Sequence, residues 1–597
     1  MIFGRPGMPP HADLRHQWHP SAGLLRPGIG EAPGLPPRPT VTHPSGIVRV
    51  PPGRAAGIPR TARGSLFPTV LCLLTLSALP AEVCRMSSLD STTFPWLAHF
   101  RWGLLLALLL GIASPASAQM TPDQAASLLL NSARRAYNEK NFPVAIARFK
   151  EFLDRHGNHR EAGSARYGLA LCLIEGPQPK YAEAVALLQP LAGDKNQPDH
   201  PFILYYLGHA QRKLASLDLA QAVEKPQEAA QWRQRASQKF EDAAGRFAAA
   251  SAAFLARAPK PLENARELPV DYEWALRARC DQAEMLLRLG KIKEARDLTA
   301  GFLSDALLAK SRYRRLGLYH HGFACFSQGD WLSAGKALNQ LTPFTDPGFG
   351  THARYLLARV HHQDGERAEA AGHYAGVIAD HDKAVKDAQQ ILRNPQALAN
   401  NPEEKARLQA LIRSPAPDHV ARAQLYLGVM HYEDGKFGEA LSRFADFLKA
   451  FPTSPLAPEV QLRLGFCQVQ LRAHADAIKT LQPLVEKAPT LADQALLWIA
   501  KAQSGSADPA NPANYVKVQK EAVDTLKKAL ERVKGDDPPA KMRRGLILLE
   551  TIDVLILAQM YRESADLCQR LLSDRLLPDR GEEILHRQAT ALHLAGD

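Results

Sequence analysis

The sequence predicts an all-α protein built from recurring helix–turn–helix units, and three observations carry that prediction. In "LYLGVMHYEDGKFGEALSRFADFLKAFPTSPLAPEV", residues 425–460, small and large side chains fall at fixed intervals. The same pattern returns along the chain, with Gly465 standing 37 residues after Gly428. Alanine and leucine are abundant in a composition that is 46% hydrophobic and 7% aromatic, which favours helices. At 597 residues the chain has room for several domains or one extended array.

Taken in order, residues 1–85 read as a disordered Pro/Gly/Arg-rich leader. They hold 15 of the 44 prolines and no periodic apolar face, so burial cannot offset the entropy of ordering them. Either this is a disordered arm or it lies upstream of the true start. The coherence of what begins at Met86 favours the second. Residues 86–118 read as a signal peptide: Arg101 precedes the apolar run Gly103 to Ala113, and Ala116-Ser117-Ala118 follows as a small-residue cleavage site. That run is well short of the ~20 residues needed to span a bilayer. Cleavage after Ala118 would leave a mature chain beginning at Gln119, periplasmic or outer-membrane associated, with no transmembrane helix. An earlier apolar run, Leu66 to Ala81, is broken by Pro68 and Pro80, and Glu82 close before Cys84 argues against lipid attachment there.

Residues 119–597 form the array. The net charge of +12 does not make it a nucleic-acid binder, because residues 1–118 hold ten arginines, no lysine and four acids, while the remainder holds 63 basic and 57 acidic residues. Such a balance is too dilute for a phosphate-binding face. Cys172, Cys280, Cys325, Cys467 and Cys568 are far apart and form no C-x-x-C pair. Their odd number leaves at least one free thiol, and each sits in an apolar helical stretch as a small buried hydrophobe.

Within the opening stretch each residue type has a mechanical reason. Gly428 and Ala440 are small where two antiparallel helices cross. Gly435 can take the left-handed conformation that ends the first helix. Phe444 fills the wedge between helices, and Pro452 prevents the second from continuing. Counted from Ala421, Leu427 and Gly428 fall at places seven and eight, Gly435 at fifteen, Ala440 at twenty, Phe444 at twenty-four, Phe447 at twenty-seven and Pro452 at thirty-two. This resembles the tetratricopeptide repeat, a unit of roughly 34 residues with the pattern L-G-x-x-Y, A-x-x-x-F, P. The resemblance implies a right-handed α-solenoid of about ten units.

The other units support it. Leu464, Gly465, Ala477, Leu481, Leu484 and Pro489 repeat the design, as do Gly322, Gly329, Trp331, Ala334 and Leu338. Ala283, Gly290 and Ala295 mark another unit, and Ala358, Gly365, Ala370 and Tyr374 one more. Near the start, Phe142, Ala145, Phe149 and Phe152 are followed by Gly168, Tyr181, Ala184 and Leu188. Weaker units run from Gly208 to Phe240, from Trp498 to Leu526 and from Tyr561 to Cys568. Residues 212–270 lengthen the third unit. "DKAVKDAQQILR" and "PEEKARLQALIR" read as a degenerate helix pair, and "SGSADPANPAN" as a loop.

The sequence shows no phosphate loop, no G-x-S-x-G elbow and no H-E-x-x-H helix. No cofactor or metal is expected, and the chain reads as non-catalytic. The pairs His320-His321 and His361-His362 come closest to a metal constellation, but adjacent helical residues point about 100° apart, unlike i, i+4 ligands. "RYRR", 312–315, reads as a solvated helix start.

In the tetratricopeptide family the concave groove is lined by places two, five, nine and twelve of the first helices. Carried onto this sequence, those places hold Tyr319, Phe323 and Phe326, then His352, Tyr355, Arg359 and His362, then Arg422, Leu425, Val429 and Tyr432, then Leu462, Phe466 and Val469. The groove so implied is aromatic with a few cations, suited to an extended or helical peptide. For any single ring, packing between repeats competes with that role. The lysine and asparagine set of the family's carboxylate-clamp members is absent from these places. "FADFLKAFPTSPLAPEVQLRLGFC" is similar to exported envelope members, the outer-membrane assembly lipoprotein and Tol–Pal coordinator type, although the lipid-bearing cysteine is missing. The implied function is a non-catalytic protein-binding scaffold of the bacterial cell envelope, with envelope proteins or peptides as partners. A second reading makes the repeats the substrate-docking region of an envelope enzyme whose catalytic domain lies beyond residue 597, because "EEILHRQATALHLAGD" matches a first helix without its second. A cytoplasmic regulator is the third, should the leader stay unprocessed.

Overall fold

The computed structural model describes residues 121–261, 266–394, 398 and 401–597; the leader and the signal-peptide assignment lie outside them. Every regular element among the described residues is helical. In chain order, α1 (Pro122–Asn138) pairs with α2 (Phe142–His156), α3 (Ala162–Glu175) with α4 (Tyr181–Leu188), and α5 (His200–Glu224) with α6 (Ala229–Arg257). Next come α7 (Val270–Arg288) with α8 (Ile292–Thr299) and its continuation α9 (Gly301–Ser304), α10 (Arg314–Ser327) with α11 (Trp331–Asn339), and α12 (Gly350–Gln363) with α13 (Arg367–Leu392). A single helix, α14 (Pro402–Arg413), precedes α15 (Asp418–Glu433) with α16 (Phe437–Ala450) and α17 (Ala457–Gln470) with α18 (His474–Lys487). The last pairs are α19 (Ala492–Ser506) with α20 (Pro512–Arg532) and α21 (Pro538–Leu557) with α22 (Tyr561–Ser573), followed by α23 (Gly581–Leu594). That makes ten pairs. Most neighbours in sequence are neighbours in space, with α14 set aside so that α13 meets α15, and first helices also touch first helices of adjoining units, as α10 does α12 and α17 does α19. This is an α-solenoid.

Small residues occur where backbones close on one another. A Cβ on Gly428 would lie 2.6 Å from the Phe444 ring, on Gly465 2.4 Å from Leu481, and on Gly322 2.6 Å from Leu338. Ala440, Phe444 and Phe447 are fully buried. Seven of the ten first helices close on the same turn; α3, α5 and α19 end differently. Gly435 has φ +71°, and Gly290, Gly329 and Gly365 are likewise left-handed. The Lys436 N–H donates to the His431 carbonyl at 2.9 Å, and the same six-to-one bond recurs from Asn141 to Ala136, Lys291 to Leu286, Asp330 to Cys325, Glu366 to His361, Ala473 to Gln468 and Met560 to Leu555. Where glycine is missing, Lys140, Arg472 and Gln559 still take φ of 59°, 59° and 61°. Backbone closure therefore overrides the local preference of those side chains.

Two loop assignments need correction. "DKAVKDAQQILR" is no separate helix; it continues α13 to Leu392. Its apolar residues join α14 in a small satellite core of Ala388, Leu398 and Leu408. "SGSADPANPAN" is mostly helical at its ends, since α19 runs to Ser506 and α20 starts at Pro512, capped by the Asn511 side chain. The third unit is long, as expected. The five array cysteines are buried and unpaired. Among the described residues no helix is long and apolar enough to cross a membrane.

Candidate functional site

The first helices carry two polar and aromatic regions. The first joins α5 to α7 and is enclosed. The Tyr205 hydroxyl donates to Asp281 Oδ2 at 2.8 Å, Arg212 Nη1 reaches Asp281 at 3.0 Å and Glu284 at 3.1 Å, and Arg277 Nε reaches Asp281 at 3.0 Å. All of these side chains are buried. Burial pushes the Asp281 carboxyl up, but Arg277 and Arg212 outweigh it and hold the group well below the usual carboxylate range. Burial, then Arg212, holds His209 well below its ordinary value and therefore neutral. Such a network fixes the register between units rather than offering a face to a partner.

The second region runs from α10 to α19. Tyr319 is 1% exposed, stacked on Phe349 at 4.9 Å, with His352 Nδ1 at 2.8 Å from its hydroxyl. Phe323 and Tyr355 are buried beside it, and Phe326 is edge-on to Trp331 at 5.3 Å. Burial pushes both His320 and His352 down to about 4. Arg359 places its guanidinium 3.8 Å from the centre of the Tyr426 ring, which stacks on Tyr374 at 5.7 Å. His362 bridges Tyr374 and Glu433, at 3.3 Å and 3.1 Å. Arg422 Nε donates to Asp418 at 2.6 Å, and Leu425 is buried.

Beyond this the rings open towards solvent. Tyr432, Phe466 and Trp498 are each half-buried. Tyr432 meets Phe466 at 4.7 Å, and Phe466 meets Trp498 edge-on at 4.4 Å. Arg463 lies 5.8 Å from the Tyr432 ring and donates to Glu459 at 2.9 Å. Lys501 lies 5.4 Å from the Trp498 ring and pairs with Glu550. The row is therefore a line of π faces edged by cations that are already charge-balanced. It suits apolar, aromatic or cation–π contacts more than a strongly charged ligand.

The structure brings Tyr319, Phe323, Tyr355 and Leu425 together as enclosed contacts between units, and leaves Tyr432 and Phe466 in the open row. Sequence reasoning missed Tyr426, Arg463, Trp498 and Lys501. Tyr426 and Arg463 both fall at place six, one beyond a counted place, so the wider stripe of a core-facing helix was the available signal. Trp498 lay in a unit whose register had no glycine to fix it.

The other candidates resolve into structure. His321 Nδ1 lies 3.3 Å from Thr299 Oγ1, and its Nε2 3.6 Å from Cys325 Sγ; burial pushes that thiol up to about 11, so it stays protonated. His361 Nδ1 is 2.5 Å from Glu366. Among the described residues no three His, Cys, Asp or Glu are grouped to hold a metal. "RYRR" is not a solvated helix start: Arg315 clamps both Asp346 oxygens and the Leu341 carbonyl, tying α10 to the loop before α12.

Residues 130–201 and 431–503 match the tetratricopeptide-repeat family. No curated protein matches the chain. Among solved structures, yeast Tom70 is similar at 14% identity over 79% of this chain and 96% of that one, with a TM-score of 0.24. The apo form of RapI is similar at 12% identity over 64% and 98%, with a TM-score of 0.36. The P58(IPK) TPR domain is similar at 13% identity over 71% and 98%, with a TM-score of 0.19.

Proposed function

This chain is a tetratricopeptide-repeat protein, and on that premise we propose that it is a non-catalytic scaffold of the bacterial cell envelope that binds other proteins along its first helices. The observation that carries the binding surface is the half-buried row Tyr432–Phe466–Trp498. These rings are rigid, cost little side-chain entropy to order, and are the residue types that dominate protein interfaces. The envelope location rests on the run Gly103 to Ala113 and the cleavage signal ending at Ala118.

A photo-reactive phenylalanine analogue placed at Phe466, with another at the exposed Leu332 as control, tests the surface in cells. Protein cross-links should form from position 466 and be lost on Trp498→Ala. Equal cross-linking from both positions would remove the row from consideration. Sequencing the N-terminus of material released from the envelope tests location, with Gln119 expected; an unprocessed chain found with the cytoplasmic fraction would overturn export.

A further inference from the structure

We propose that the paired imidazoles of His361 and His373 form an acid-operated latch between α12 and α13, opened when both rings carry a proton. One ring comes from each helix of the unit, and they stack with planes 5° from parallel and centres 5.3 Å apart. Their surroundings differ. His361 places Nδ1 2.5 Å from Glu366 Oε2, in the turn between the helices, so a proton added to that ring has its counter-charge in place. His373 makes no hydrogen bond to a carboxylate among the described residues, and its Nδ1 is enclosed without a partner. That nitrogen is accommodated as a bare lone pair, with the ring proton on Nε2. A second proton would bury an N–H with nothing to accept it.

The charges that act on His373 are His361 and Arg354 from α12 and Glu369 from α13 itself. Phe344, edge-on at 5.8 Å from the loop before α12, adds none. Arg354 is pinned beside the ring: it donates to Asp380 at 2.8 Å, and its guanidinium lies against α13 where Gly376 has no side chain to obstruct it. Burial, then His361 and Arg354, hold His373 below its ordinary value, and Glu369 opposes them. Once His361 is charged, a proton on His373 meets like charge from two neighbours, and separation of α13 from α12 relieves it. Tyr374, the next residue of α13, stacks on Tyr426 of α15 at 5.7 Å, and its hydroxyl lies 3.3 Å from His362. Opening at His373 therefore loosens the seat of α15, the helix that carries Tyr432. The latch requires no partner, so its test stands apart from the scaffold reading.

Amide hydrogen exchange of the full chain, read by mass spectrometry from pH 7.5 to pH 5.0 and corrected for intrinsic rates, tests it. A ring kept neutral in the closed unit and free to take a proton in the open one favours closure above its ordinary value. Protection is then lost as pH falls below about 6.5, by about tenfold per pH unit. Peptides across α12 and α13 should show this loss and those of α15 should follow it, with α17 and α18 as the baseline. His352, also on α12, is pushed down to about 4 and contributes a slope of its own, so the variants decide. His373→Phe keeps the stack but takes no proton, and should remove about one decade per pH unit from the α12–α13 slope. His373→Gln should do the same, and serves if the larger ring overpacks. His361→Phe removes the charge that keeps the second proton off and should recover part of the lost protection at pH 5.0. An unchanged slope in the His373 variants, no recovery in His361→Phe, or an equal loss across α17 and α18 overturns the latch. Loss across α12 and α13 with α15 unaffected overturns its connection to α15.

Discussion

Replacing Gly465 by alanine puts a methyl carbon 2.4 Å from Cγ and Cδ2 of Leu481 and 2.9 Å from its Cδ1. Leu481 is fully buried, so it cannot swing into solvent to make room. Two effects compete. Glycine to alanine inside a helix gains about 1 kcal/mol of propensity, while overpacking a filled contact costs about 1–3 kcal/mol. Gly372 supplies the control, because it lies inside α13 with no atom within 4 Å of the added carbon. Gly372→Ala should therefore stabilise by about 1 kcal/mol, and Gly465→Ala should destabilise by about 1 kcal/mol. Truncating the neighbour reverses the second sign: in a Leu481→Ala background, Gly465→Ala should become stabilising, a coupling of about 1–3 kcal/mol. Because long arrays lose all-or-none behaviour, the measurement is amide hydrogen exchange across α17 and α18, read by mass spectrometry. Gly465→Ala stabilising the unmodified chain as Gly372→Ala does would refute the close-approach role of the glycine.

Three further outcomes are expected. His320 and His352, both pushed down to about 4 by burial, favour the folded state while neutral; that contribution is complete above about pH 6.5 and lost as pH falls towards 4, about 3 kcal/mol each across the window. Urea midpoints should thus drop between pH 7 and pH 5, and His320→Gln should flatten that slope; an unchanged slope would show that the side chain titrates freely. Lys140→Gly, Arg472→Gly and Gln559→Gly relieve left-handed strain and should each stabilise by about 0.5–1 kcal/mol, visible as slower exchange at the flanking turns, whereas faster exchange there would count against the shared closure. Asp281→Asn takes the carboxylate from Arg277 and leaves Arg212 with Glu284 alone in a buried site, and should cost about 3–5 kcal/mol. Differential scanning calorimetry showing less than about 1 kcal/mol of change would mean that water reaches the network.

The repeat was legible because its marks are local. Gly428, Gly435, Ala440 and Phe444 each answer to a contact or a turn within one unit, and one unit is short enough to read. What was not legible depends on contacts between units. Tyr319 and Tyr355 look like groove residues by place, yet Phe349, His352 and Tyr374 from adjoining elements enclose them. Arg315 looks like part of a solvated basic run until Asp346, 31 residues on, meets it. The buried pairing of Arg212 with Asp281 spans 69 residues, and no spacing rule announces it. Trp498 was lost for a different reason: α19 ends in an extended Ala507, without the left-handed turn that sets the count elsewhere.

The common closure at the end of the first helices has an evolutionary consequence. Glycine, lysine, arginine and glutamine all take the left-handed position just before the donor of the same six-to-one bond, so the junction is written in main-chain atoms rather than in any one side chain. A stretch copied from one such junction to the next would arrive with both ends already shaped to splice. The molecule could lengthen by whole segments while each copy's sequence drifted, and uneven segment lengths beside a junction shared by seven of the ten pairs are what that history would leave behind.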